Sequence, residues 1–115
     1  MAAVNHQILL SSQSITSNTT TLSSTKALPN HAVEFIIESK VASRTDGTYT
    51  TTIEHSPDGT VWFTLDSTSA QAANGTVIKA VSGNQVFGYI RASVLSASVT
   101  AGASISVTLW YRNDK

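Results

Sequence analysis

One stretch, Tyr49 to Leu65, constrains the fold more than any other part of the chain. A run rich in β-branched residues leads into Ser56-Pro57-Asp58-Gly59, and a second run with two aromatic residues follows. Serine favours the first position of a type I turn, proline presets φ at the second, and glycine accepts the left-handed fourth position. The stretch therefore predicts a β-hairpin with a three-residue loop and a bulge. In that register one face carries Thr51, Ile53, His55, Val61, Phe63 and Leu65.

Further segments of alternating polarity recur at intervals of about ten residues. The clearest are residues 31–41, 86–95 and 104–111, and residues 6–15 and 76–81 provide two more candidate strands. No segment shows sustained helical periodicity. The pattern predicts an all-β fold, an antiparallel β-sandwich of seven to eight strands with jelly-roll or immunoglobulin-like topology.

The N-terminal segment differs from the rest of the chain. It begins with the apolar triplet Ile8-Leu9-Leu10, and Leu22 is the only large apolar residue between positions 16 and 26. We expect residues 1–22 to form an N-terminal strand or arm that becomes ordered on a partner, and residues 23–115 to form the sandwich domain. For residues 16–26 a loop, a solvent-exposed strand and an arm that orders on a partner are alternatives. The loop is favoured, because serine and asparagine compete for backbone hydrogen bonds.

The charge balance limits the classes of partner. Seven basic and seven acidic residues give a formal net charge of +0, and charged residues make up 12% of the chain. About a quarter is usual in soluble domains. Nucleic-acid binding normally needs a basic patch, so no nucleic-acid partner is expected. Low charge suits a protein packed against neighbours, or one whose outer strand faces are solvated by hydroxyl groups.

No membrane partner is expected either. The chain has no apolar run approaching the roughly 20 residues of a membrane span. Its N-terminus lacks the basic region and long apolar region of a signal peptide.

The sequence shows no constellation of catalytic or metal-binding residues. Cysteine is absent, and His6, His31 and His55 lack the close spacing of zinc ligands. Neither a Gly-x-Ser-x-Gly elbow nor a phosphate-binding loop is present. Two glutamates on paired strands would suit a glycosidase, but solvated strand faces explain them more simply. We expect no enzyme, no cofactor and no bound metal. The glutamates are Glu34, Glu38 and Glu54.

Two aromatic side chains are candidates for partner contacts because strand alternation turns them outward. Strict alternation places Trp62 opposite to Phe63, whereas a bulge would turn it into the core. Outward aromatic residues indicate a protein interface or a sugar-stacking platform, and rings that cap the core are the alternative. The expected partner contacts are Ile8, Leu9, Leu10, Leu22, Trp62 and Trp110.

A series of motifs resembles a group of small structural proteins of tailed bacteriophages. In order, they are residues 14–20 (Ser-Ile-Thr-Ser-Asn-Thr-Thr), a Val-Glu-Phe strand, residues 45–49 (Thr-Asp-Gly-Thr-Tyr), residues 54–59 (Glu-His-Ser-Pro-Asp-Gly) and residues 88–92 (Gly-Tyr-Ile-Arg-Ala). A Ser/Thr-rich apolar strand, residues 104–110, follows near the end of the chain. The resemblance covers most of the chain from Ser14 onward. The chain departs from the pattern at Trp62-Phe63, where one aromatic residue is usual.

This resemblance implies a virion protein with a β-sandwich fold. Its expected function is that of a capsid decoration, or cement, protein that binds the major capsid protein or other virion proteins and stabilises the shell. A tail or head–tail accessory protein is an alternative, and so is a carbohydrate-binding β-sandwich module with a glycan partner. A homo-oligomer is expected, with a trimer favoured. The group offers no catalytic motif to transfer to this chain.

Overall fold

A computed structural model of the protein describes residues 4–29, 32–81 and 86–113. Within these ranges the chain forms nine β-strands and no helix, so none of the described residues belongs to a helix that could cross a membrane. His31, one of the three histidines considered above, lies outside the described residues. The strands are β1 (Val4–Ile15), β2 (Thr20–Leu22), β3 (Lys26–Ala27), β4 (Ala32–Ala42), β5 (Thr48–Ser56), β6 (Phe63–Ser67), β7 (Gly75–Ala80), β8 (Tyr89–Ala97) and β9 (Ala103–Asn113).

The strands form two antiparallel sheets whose inner faces enclose the core. Sheet 1 has the order β1-β9-β4-β7, and sheet 2 has the order β2-β8-β5-β6, with β3 also pairing with β8. The predicted all-β antiparallel sandwich is confirmed. The described residues contain nine strands instead of seven or eight, because the polar segment after β1 contributes the short strands β2 and β3.

The strand order distinguishes the two topologies that the sequence left open. When β2 and β3 are taken as one interrupted strand, the chain crosses between the sheets after every strand except β5. This is the arrangement of a jelly roll, in which two four-stranded sheets are built from nested Greek keys. The chain is therefore a jelly-roll sandwich.

The core follows the alternation seen in the sequence. In β8 the side chains of Ile90, Ala92 and Val94 are fully buried, and the residues between them face outward. In β9 Ile105, Val107 and Leu109 are buried in the same way, and their exclusion from water supplies the main driving force for folding. The other core side chains are Leu9, Leu10, Ile15, Phe35, Ile37, Val41, Tyr49, Ile53, Ala103 and Tyr111.

Strand β1 belongs to the sandwich. It pairs with β9 from Val4, opposite Arg112, to Ile15, opposite Ala103, and bulges interrupt the register on either side of Leu10. Residues 20–22 likewise pair with β8. The expected boundary at residue 22 therefore coincides with no break in the fold, because the first strand supplies core residues.

The hairpin differs from its predicted form in loop length. Strand β5 ends at Ser56 and β6 begins at Phe63, so residues 57–62 form a longer connection and the predicted three-residue loop is wrong. The predicted face is also only partly formed: His55 pairs with Phe63, but a bulge between Ile53 and Glu54 shifts the register beyond this point. Phe63 is about half exposed.

Side chains in the turn accept hydrogen bonds from backbone N–H groups of the same loop. The Ser56 hydroxyl oxygen accepts hydrogen bonds from the backbone nitrogens of Asp58 (3.2 Å) and Gly59 (2.8 Å). The Asp58 carboxylate then accepts from the nitrogens of Thr60 (2.8 Å) and Val61 (3.0 Å), and these bonds lower its pKa. Gly59 adopts the left-handed conformation predicted for it, with φ of 82°. Pro57 is exposed at the start of the connection.

Candidate interaction surfaces

The structure separates the six expected contact residues into two groups. Leu9 and Leu10 are core residues with 6% and 7% exposure, so the expectation that they contact a partner is corrected. The bulges on either side of Leu10 allow Leu9 and Leu10, which are adjacent in the sequence, to face the core together. Strict alternation would place them on opposite faces. Ile8 and Leu22 are about half exposed. Trp62 and Trp110 are partly exposed.

Trp110 lies at the centre of an apolar surface on the outside of sheet 1. Its register partners are His6 on β1 and Ile36 on β4, and its ring centroid lies 4.7 Å from that of His6. The indole nitrogen donates a hydrogen bond of 2.7 Å to Oε1 of Glu38. We call this surface the sheet 1 outer face. Its exposed apolar side chains are Val4, Ile8, Ile36 and Ile78.

A bulge in β4 shapes a groove at one end of this face. The β4–β9 register shifts between Val33 and Ile36, and Glu34 adopts a positive φ of 56° there. Glu34 is turned outward and forms an ion pair with Arg112. Beside this pair lies a groove of about 440 Å³ with a mainly apolar lining. Its lining includes Val4, Ile36, Ala80, Val81 and Trp110.

The outer face of sheet 2 carries the second tryptophan. The Trp62 ring lies over the guanidinium carbon of Arg91, 4.2 Å from the ring centroid, in a cation–π contact. Nε of Arg91 donates a hydrogen bond of 2.7 Å to Oε1 of Glu54 on the neighbouring strand. The three side chains form a Trp-Arg-Glu cluster. Trp62 thus lies on the outside of the sandwich and not in its core.

The glutamates considered as catalytic candidates lie on different surfaces of the sandwich. Glu38 lies on the outside of sheet 1 and Glu54 on the outside of sheet 2, so these two carboxylates do not meet on one face. Glu34 is paired with Arg112. Within residues 4–29, 32–81 and 86–113, no cluster of three potential ligands could hold a metal ion. His55 is buried, and its Nδ1 accepts a hydrogen bond of 3.0 Å from the backbone nitrogen of Phe87.

Sequence reasoning missed several members of these surfaces. Alternation in β4 gives Ile36 and Glu38 the same outward direction, but no sequence signal connects them with Trp110 on β9. The pairing of His6 with Trp110 depends on the β1–β9 register, which is not visible in either strand alone. Arg91 was part of the alternating β8 pattern, but its contact with Trp62 depends on the path of the long loop.

No family model matches the chain, and no curated protein sequence matches it. Two solved structures have a similar fold. The first, "Structure of infectious bursal disease virus Gx strain", has a TM-score of 0.58 and 10% identity over 97% of this chain and 32% of the other. The second, dimeric latent PorU from Porphyromonas gingivalis, has a TM-score of 0.55 and 10% identity over 98% of this chain and 13% of the other.

The chain thus spans about a third of the viral chain and a smaller share of PorU. At 10% identity these likenesses show the fold alone.

Proposed function

We propose that the protein is a structural component of a virion, and specifically a decoration protein that binds the outside of a capsid shell. The observation that carries the proposal is the sheet 1 outer face, where apolar side chains with up to 67% exposure surround Trp110. An exposed apolar surface with a polar rim is typical of a protein interface. The similarity to a chain of a virus structure and the resemblance to bacteriophage structural proteins support a capsid as the partner.

The surface suits a contact that is made many times on a lattice. Tryptophan is enriched among residues that dominate binding energy, and Trp110 is held in place by Glu38 before any partner arrives. A protein that binds only the assembled shell stabilises that state by mass action. Because a shell repeats the same site, a weak contact made by each copy is multiplied across the particle.

Binding of the purified protein to shells that lack it tests this proposal. We expect wild-type protein to co-sediment with such shells, and Trp110→Ala to raise the dissociation constant at least tenfold, about 1.4 kcal/mol. Trp62→Ala is the matched control, because it removes the other outward tryptophan from the opposite sheet. Equal binding by wild type and Trp110→Ala would contradict the role of this face.

The copy number in purified particles distinguishes the positions within a virion. Quantitative mass spectrometry, scaled to the major shell protein, should give a number close to that of the shell protein for a decoration protein. A few to about a dozen copies would indicate a neck or tail component instead. Absence from the particles would overturn the virion proposal.

A carbohydrate-binding module is the second candidate, and the Trp-Arg-Glu cluster favours it. Trp62 offers an aromatic ring on an open sheet face, with the polar groups of Arg91 and Glu54 beside it. Aromatic rings combined with a few polar groups are suited to sugar rings. This candidate predicts that Trp62→Ala abolishes glycan binding on an array while Trp110→Ala preserves it. A blank array with wild-type protein would eliminate it.

A further inference from the structure

The four sheet edges are protected to different degrees against pairing with another strand. An exposed edge presents unpaired N–H and C=O groups, and proteins guard such edges with charges, bulges or short strands. On β7, Lys79 lies opposite the buried Ile37 and reaches Asp66 of β6, where its Nζ is 2.8 Å from Oδ1. This inward-directed ion pair guards the edges of both sheets on that side of the sandwich.

The other edge of sheet 2 is protected because its edge strands are short. Strand β2 has three residues and β3 has two, so neither offers a continuous row of backbone groups. The second half of β1 is guarded by irregularity: bulges lie between Ile8 and Leu10 and between Leu10 and Gln13, and Ser12 adopts a positive φ of 47°. Bulges of this kind twist an edge away from a partner.

The first half of β1 has none of these protections. From Val4 to Ile8 its register with β9 is uninterrupted, and among the described residues β1 pairs with β9 alone. The whole strand contains no Lys, Arg, Asp, Glu or Pro. Val4 and Ile8 are 66% and 52% exposed on its outward side. One edge of sheet 1 is therefore regular, uncharged and partly apolar.

We propose that this edge pairs with the same edge of a second copy of the chain. In an antiparallel pair related by a two-fold axis, each strand meets its own reversed sequence, so the surface must be self-complementary. Any such register of β1 places only uncharged residues opposite one another, and like charges directly opposite would be destabilising. The formal net charge of +0 also leaves no overall repulsion between two copies.

The expected product is a weak dimer. Pairing joins two four-stranded sheets into one continuous eight-stranded sheet and closes after two copies, which differs from the trimer favoured by the sequence analysis. Because one short strand edge contributes less area than a standard interface, we expect dissociation constants in the micromolar range or weaker, on the order of 10⁻⁶ M or above. The joined sheet would also place two sheet 1 outer faces side by side. The inference concerns the isolated protein and does not depend on the proposed capsid partner.

Sedimentation velocity over a wide range of protein concentration tests the proposal. Wild type should shift from monomer to dimer, and Ile8→Lys should raise the dissociation constant at least tenfold, because it places a charge on each of the two paired edges. Ile78→Lys is the matched control: Ile78 is 67% exposed on the same outer face but lies on β7, at the guarded edge. It should leave the dimer unchanged.

Amide hydrogen exchange at low and high concentration locates the contact in the wild-type protein. Amides of residues 4–10 should gain protection as the dimer forms, and those of β7 should not. A wild-type chain that stays monomeric at every concentration would overturn the proposal. So would a dimer that Ile78→Lys disrupts as strongly as Ile8→Lys, since the contact would then lie on the face and not on the β1 edge.

Discussion

The backbone nitrogen of Gly102 lies 2.9 Å from Oδ1 of Asp46, although the two residues are 56 positions apart in the sequence. The same carboxylate accepts hydrogen bonds from the nitrogens of Thr100 and Ala101. Asp46 follows β4 and Gly102 follows β8, so one side chain connects the β4–β5 loop of the jelly roll to the β8–β9 loop. Thr45 adds a backbone bond of 2.9 Å to the Gly102 carbonyl oxygen.

Replacing Asp46 should therefore destabilise the fold more than replacing the carboxylate of the β5–β6 loop. Asp46→Ala leaves three backbone N–H groups without their acceptor and releases a long-range connection. Asp58→Ala is the control, because its carboxylate bonds only to residues within three positions of it in the sequence. Urea unfolding should give a lower midpoint for Asp46→Ala than for Asp58→Ala. The reverse order would contradict the connecting role.

The same carboxylate should make stability depend on pH in the acid range. The hydrogen bonds from Gly102 and Thr100 lower the pKa of Asp46 below its ordinary value of 3.8. Since the unfolded chain takes up the proton first, this stabilisation is fully present above pH 3.8 and is lost as the pH falls through the lower folded pKa. The stability difference between wild type and Asp46→Asn should therefore shrink on acidification. A stability difference between the two proteins that stays constant as the pH falls would contradict the lowered pKa of Asp46 in the folded state.

His55 should impose a second pH dependence, near neutrality. Burial lowers its pKa below 6.5, and its Nδ1 must be unprotonated to accept the hydrogen bond from Phe87. The unfolded state is therefore protonated first, and the free energy of unfolding should fall as the pH drops through about 6.5. His55→Phe should be less stable at neutral pH but nearly independent of pH between about 7.5 and 5.5. A pH dependence in His55→Phe as steep as that of the wild type would contradict this role of His55.

Two glycines in left-handed conformations should respond differently to alanine. A Cβ atom at Gly102 would overlap the carbonyl oxygen of Ile15, whereas a Cβ at Gly59 would meet open space. Gly59→Ala should cost about 1–2 kcal/mol, the ordinary cost of a left-handed alanine. Gly102→Ala should cost about 3 kcal/mol or more, because steric overlap with backbone is added. Equal losses in chemical denaturation would show that the close approach is relieved at little cost.

The polar cluster inside the sandwich gives a fifth prediction. The Ser39 hydroxyl donates to Oε1 of Gln71 at 2.8 Å, and Nε2 of Gln71 donates to the Ser39 carbonyl at 3.2 Å. Both side chains are buried. Gln71→Ala should cost about 1–3 kcal/mol, since it leaves buried polar groups unpaired. Gln13→Ala, at an exposed position, should change stability by less than about 0.5 kcal/mol.

The regular parts of this fold could be read from the sequence. Apolar residues occupy every second position from Ile90 to Val94 in β8 and from Ala103 to Tyr111 in β9, and those residues belong to the core. The class of fold follows from this periodicity, whereas the direction of Trp62 was left open by the sequence and depends on the path of residues 57–62. The topology does not follow from the periodicity either, because which strands become neighbours depends on packing between segments far apart in the chain.

The irregular parts could not be read in the same way. A bulge shifts every residue beyond it to the other face, and nothing in the residues around Leu10 or Glu34 distinguishes a bulged strand from a regular one. Leu9 and Leu10 were therefore assigned to a partner although both are core. The Ser-Pro-Asp-Gly segment predicted the left-handed Gly59 correctly but left the length of the connection undetermined.

The pairing of Val4 with Arg112 has a mechanical consequence. Because the two ends of the described chain lie side by side on antiparallel neighbours, tension applied between them would load the β1–β9 hydrogen bonds one after another. Strands opened in this way unzip at low force, whereas strands pulled along their length resist as a group. The sandwich should therefore yield easily to a pull on its ends and withstand far more when pulled between Val4 and Ala103, which lie at opposite ends of the β1–β9 ladder.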